Sequence, residues 1–98
     1  MGYEFLIKVR LSDEDKVEVT KLFNQKPNYS STVTVDSTEY LEFKNEEGSR
    51  SQMPDFTTAF DVEGIYVCQN SINDVWTNLD DLKEYLQRRH KDFYVEEL

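Results

Sequence analysis

Glycine is scarce in this chain. Its three glycines, at positions 2, 48 and 64, are too scattered to build the turn that brings backbone amides against a phosphate, which excludes nucleotide binding through a P-loop or Rossmann turn. The lone cysteine, Cys68, cannot close an internal disulfide and fits a reducing compartment. Zinc takes three or four ligands of suitable type, whereas Cys68 and the single histidine, His90, stand far apart in sequence. The acidic stretch DEDKVE lacks the glycine turn and ligand spacing of a calcium loop. Neither a metal nor a cofactor is expected. No apolar run approaches the roughly 20 residues of a membrane-spanning helix, and MGYEFLIKVR has no basic leader and no small-residue cleavage site. Gly2 is followed at position 6 by Leu, where a myristoylation signal has Ser or Thr. These absences lead to the expectation of a soluble, unexported, cytoplasmic protein with no membrane partner.

Large side chains and acid are what the chain has. It is 38% hydrophobic and 13% aromatic over 98 residues, enough to fold as one domain with one core despite its many charges. In YEFLIKVRL, Tyr3, Phe5, Ile7, Val9 and Leu11 alternate with charged residues, the period of a strand. Ser12 then caps a helix that carries three acids in its first turn, has a stripe of Val19, Leu22 and Phe23, and stops before Pro27. TVTV and EYLEFK, separated by DST, predict a hairpin, and NEEGSRSQMPD predicts a long loop.

The stretch FDVEGIYVCQN, residues 60–70, is dense in apolar residues yet holds two acids and the cysteine. Phe60, Val62, Ile65 and Val67 are expected to reach a core while Asp61, Glu63 and Tyr66 point outward, with Gly64 as a bulge or tight turn. Cys68 in such a strand reads as a small buried hydrophobe, and His90 as a cation at a helix end. From Ser71 onward, Ile72, Val75, Trp76, Leu79, Leu82 and Leu86 recur at helical spacing. A helix is expected from Leu79 to about His90, with Asn78 and Asp81 as its cap, a start near Ile72 being the alternative. DFYVEEL closes the chain as a strand. The order strand, helix, strands, helix, strand predicts an α+β fold with a mainly antiparallel sheet, both helices on one face and the other face partly open.

Charge is distributed unevenly. Residues 1–35 and 83–98 are each balanced, so the net charge of −9 arises wholly in residues 36–82, which hold Asp36, Glu39, Glu42, Glu46, Glu47, Asp55, Asp61, Glu63, Asp74, Asp80 and Asp81 against Lys44 and Arg50. If adjacent strands align them, these acids form one surface. Such a surface repels nucleic acid and anionic membranes and steers a basic protein toward itself. Solubility is the plainer use of the same acids. The candidate partner-binding residues are Glu39, Tyr40, Glu42, Asp61, Glu63 and Tyr66, because a tyrosine beside acids offers rigid contact area at small entropic cost. A half-buried strand tyrosine is the plainer reading of Tyr66.

With DVEGIYVCQN followed by WTNLDDLKEYL in an acidic α+β chain of this length, the sequence resembles the small cytoplasmic immunity proteins that bacteria pair with secreted toxin domains. The resemblance implies a non-catalytic inhibitor that masks a toxin active site, often the basic cleft of a nuclease, with acidic and aromatic side chains. Two other functions use the same residues. A nucleic-acid mimic would expect more regularly spaced acids than these, and a small hydrolase would use Cys68, with His90 as base, or a carboxylate pair.

Overall fold

A computed structural model describes residues 3–44, 55–69 and 74–98. The alternation of the first segment becomes β1, Tyr3–Val9, after which Ser12 starts α1, Asp13–Asn24. The Ser12 hydroxyl accepts from the Asp15 amide (3.1 Å), and the Asp15 carboxylate accepts from the Ser12 amide (3.0 Å). This is a capping box with aspartate in the glutamate position, and it satisfies two amides that the helix itself cannot. β2, Tyr29–Val35, and β3, Thr38–Phe43, follow as a hairpin. Its two-residue turn has Asp36 and Ser37 at φ 50° and 68°, the doubly left-handed turn whose twist matches that of the strands.

β2 begins three residues earlier than TVTV predicts. Its register slips once, between Tyr29 opposite Phe43 and Ser31 opposite Glu42, so one extra residue bulges there and turns Tyr29 toward the core side. The Tyr29 ring meets Phe43 edge-on at 5.9 Å, which explains why the strand includes it. Most of the long loop expected after β3 lies outside the described residues. β4, Phe56–Asp61, and β5, Gly64–Gln69, form the next hairpin. Gly64 has φ 151°, and a Cβ there would overlap the Ile7 carbonyl oxygen, so only glycine lets β5 and β1 approach at this point.

A single 3-10 turn, Val75–Thr77, leads to α2, Asp80–Arg88, and β6, Phe93–Glu97, completes the order. Asn78 does not cap α2 as expected. Leu79 occupies that position without a side-chain cap, and Asn78 closes the 3-10 turn through its amide bond to the Trp76 carbonyl. The helical spacing does not extend α2 back toward Ile72: Val75–Thr77 form the separate 3-10 turn, closed before α2 begins at Asp80, and residues 70–73 lie outside the described residues.

The strands form one antiparallel sheet in the order β2-β3-β4-β5-β1-β6. Ile7, Val9, Leu41, Phe43, Phe56, Ile65 and Val67 on one face share a single core with Val19 and Phe23 of α1 and Leu82 and Leu86 of α2. Phe43 stacks on Phe56 with ring centroids 4.4 Å apart, and Phe23 meets Phe43 edge-on. The fold is therefore α+β, with both helices packed on one face. Val62 departs from expectation: it is fully exposed, because alternation stops at Asp61 and Val62 with Glu63 makes the turn. Trp76, at the helical spacing of the leucines, is only half-buried and packs against the edge of the core, with its ring against Phe93 at 5.5 Å.

Candidate functional site

Period-two alternation leaves the sheet face opposite the helices to Val33 and Val35 of β2, Tyr40 and Glu42 of β3, Thr57, Ala59 and Asp61 of β4, and Tyr66 and Cys68 of β5. Glu4, Leu6 and Lys8 of β1 and Tyr94 and Glu96 of β6 complete it. The two tyrosines organise its centre. Tyr40 and Tyr66 lie on strands either side of β4, with backbones about 10 Å apart. Yet their rings meet edge to face at 6.3 Å and 87°. Between them stands Ala59, whose small side chain permits the approach and is itself 5% exposed beneath the rings.

The Tyr66 hydroxyl donates to the Glu4 carboxylate. Burial, reinforced by that bond, pushes the Tyr66 phenol far above its ordinary value, so the ring is a neutral, fixed donor at physiological pH. Thr38, Tyr40, Ala59, Phe60, Asp61 and Tyr66 line a shallow depression of about 170 Å³ beside the pair. Asp61 is exposed at its rim, where its carboxylate accepts from the Glu63 amide (3.0 Å). Glu42 accepts from the Ser31 hydroxyl (3.2 Å) on the same face.

Strand residues of this face carry the carboxylates of Glu4, Glu42, Asp61 and Glu96 against one ammonium, Lys8. Lys8 sits 2.9 Å from Glu96 and 3.8 Å from Glu63, and its pKa is raised, first by the Glu96 hydrogen bond. That end of the face is locally neutralised. Among the described residues, no ammonium pairs with Glu42 of β3 or Asp61 of β4.

Of the six sequence candidates, Tyr40, Glu42, Asp61 and Tyr66 share this face. Glu63 lies in the β4–β5 turn and faces Lys8. Glu39 pairs across from Thr34 on the opposite parity and so points away. The acids of residues 36–82 do not form one surface: Asp74 caps the 3-10 turn, and Asp80 and Asp81 start α2 on the helix side, where Asp81 lies 3.0 Å from Lys26. Glu46 and Glu47 lie outside the described residues. Sequence reasoning missed Glu4, Leu6 and Glu96, although the even positions of β1 and β6 carried the signal. What was lacking was the knowledge that β1 sits between β5 and β6.

Cys68 is not a core residue. It is half-buried on the open face, opposite Glu4 and Thr57. His90 ends α2 on the helix side with φ 54°, so the sheet separates this cysteine from the only histidine.

A second cluster surrounds Asp15, whose side chain is fully buried. One oxygen accepts from Tyr85 (3.0 Å) and faces Arg89 (3.5 Å); the other accepts from the Ser12 amide and pairs with Lys91 at 2.8 Å. The Lys91 hydrogen bond, followed by those from Ser12, holds this carboxyl far below the usual range, while burial and the Asp15 acceptor raise the Tyr85 phenol. Both oxygens are occupied. The cluster ties the start of α1 to the end of α2 and leaves nothing over to take a substrate proton.

Fold and face together define a one-sided antiparallel α+β protein with an open aromatic and acidic sheet surface. No helix among the described residues is long and apolar enough to cross a membrane. The chain finds no match among protein-family models, curated proteins or solved structures.

Proposed function

We propose that this chain is a non-catalytic binding protein that neutralises a toxin by laying its open sheet face over the toxin's basic active-site cleft. One observation carries the reading: the Tyr40–Tyr66 pair stands over Ala59 on a face that neither helix covers, with Glu42 and Asp61 on the same face. Rigid aromatic rings beside carboxylates are suited to an arginine or lysine of the partner, which can lie against a ring while pairing with the acid. The tyrosines are already held in place by each other and by Glu4, so docking orders few side chains. The surrounding acid supplies attraction at a distance. The reading also rests on the chain's resemblance to immunity proteins. No cofactor and no nucleic acid takes part.

Affinity capture with this chain as bait, from the organism that makes it, should retrieve a basic toxin, and co-expression with that toxin should restore growth. The combined substitution Tyr40→Ala and Asp61→Lys should abolish protection while leaving the far-ultraviolet dichroism and melting profile close to those of the parent. Undiminished protection by that variant would move the docking surface away from this face. A chain that rescues growth from no captured protein would overturn the function.

A further inference from the structure

The two edges of the sheet differ in a way that the open face does not explain. β6 bears Glu96 and Glu97 and is preceded by Lys91 and Asp92, the charged guard that keeps a strand edge from pairing with another chain. β2, at the other end of the sheet, has no charge within the strand itself, its nearest charges being Lys26 before it and Asp36 in the turn after it. From Tyr29 to Val35 it reads YSSTVTV, without charge or proline, in a chain that is 32% charged. Four consecutive β-branched residues, Thr32 to Val35, give it strong strand propensity. Every residue from Ser30 to Ser37 is exposed, Val33 at 39% and Val35 at 50%. Among the described residues, nothing pairs with its outer edge.

We infer that β2 is a self-association edge, which pairs antiparallel with β2 of a second copy to join two sheets into one of twelve strands. This inference does not rest on the toxin reading. The regular part of β2 runs from Ser31, just after the bulge, to Val35, just before the turn. Its midpoint is Val33, so the twofold arrangement with the longest regular overlap sets Val33 opposite its own copy, Thr32 opposite Thr34, and Ser31 opposite Val35. β-branched pairs and a threonine pair are favourable cross-strand neighbours. The seam also avoids the repulsion expected of two chains carrying −9 each. The nearest strand carboxylates, Glu39 and Glu42, lie on β3, and β3 stands three strand spacings from its copy, about 14 Å, beyond a Debye length of about 8 Å at physiological ionic strength. A basic partner is a poorer occupant, since this strand offers it no carboxylate. Edge-to-edge pairing over so few residues buries less than the roughly 1,000 Å² typical of a stable complex, so association is concentration-dependent.

Sedimentation velocity over about 10 μM to about 1 mM, a range suited to weak association, should show the mass rising from 11.6 kDa toward twice that value. Val33→Lys and Val33→Glu should each hold the chain at single-copy mass, because each sets like charges opposite one another. An equal mixture of the two should restore the doubled mass, since opposite charges then meet at the twofold axis. Independently of any substitution, amide exchange of Ser31 to Val35 in the parent chain should slow as concentration rises. A parent chain of single-copy mass throughout, with exchange at β2 unchanged, overturns the inference. So does dimerisation of the two single variants as strong as that of the parent, or a mixture that fails to associate.

Discussion

The buried carboxylate of Asp15 and the buried hydroxyl of Thr58 are opposite cases of one rule, that a polar group removed from water needs a partner. Asp15 has partners on both oxygens. Its pKa is lowered on folding, first by Lys91, so its contribution is fully present above the unfolded value of about 3.9 and is lost as pH falls through the folded one. Asp15→Ala should destabilise by about 2–3 kcal/mol at pH 7, less than for a deeply buried pair because Lys91 and Arg89 remain partly hydrated. In urea unfolding, the gap between variant and parent should narrow as pH drops below about 4. A gap that is independent of pH would mean that packing, not charge, holds the cluster. Thr58 is fully buried beside Leu41 and Val67, and among the described residues its hydroxyl has no partner. Thr58→Val keeps the shape and removes the orphan, so it should stabilise by about 1 kcal/mol, read as a higher urea midpoint at unchanged slope.

At the scale of the element, α2 depends on its neighbours. Nine residues are too few for a helix to persist alone in water. Leu79, just before it, and Leu82 and Leu86 within it are fully buried, spaced so that one stripe faces the sheet. Leu82→Ala should cost about 2–5 kcal/mol of a total stability of about 5–15. In a chain of this length that corresponds to a melting point lower by on the order of 10 °C or more. A shift of a degree or two would show that the site collapses around the gap. The helix was legible in sequence through that leucine stripe. Its start was not, because Asn78 followed by Asp81 has the spacing of a cap while tertiary packing turns the residues before α2 into a 3-10 turn.

At the scale of the molecule, where the charges sit decides more than how many there are. Glu42 and Asp61 lie on the open face, whereas Glu14 and Glu18 lie exposed on α1 across the sheet. Reversing either pair to lysine changes net charge equally. With the captured toxin as partner, Glu42→Lys with Asp61→Lys should slow association on the order of tenfold at low salt and flatten its salt dependence. Glu14→Lys with Glu18→Lys should do much less. Equal effects would mean that only total charge matters, and an unchanged rate in the open-face variant would remove the acidic steering mechanism.

What the sequence determined by itself was local. Alternating and β-rich runs marked the strands, with the start of β2 placed three residues late, a leucine stripe marked α2, Ser12 the start of α1, and Gly64 the tight turn between β4 and β5. Each of these depends on neighbours within a few residues, so each is written in the order of the residues. Tertiary structure alone decided which segments pair. Placing β1 between β5 and β6 set Glu4 and Leu6 beside Tyr66 and brought Lys8 to Glu63 and Glu96. It also divided the acids of residues 36–82 between the two sides of the sheet and gave Asp15 its partners, Tyr85 lying 70 residues further along the chain. Strand parity reads which residues share a face, but only long-range packing, with one apolar face to cover and two helices to cover it, chooses which face stays open.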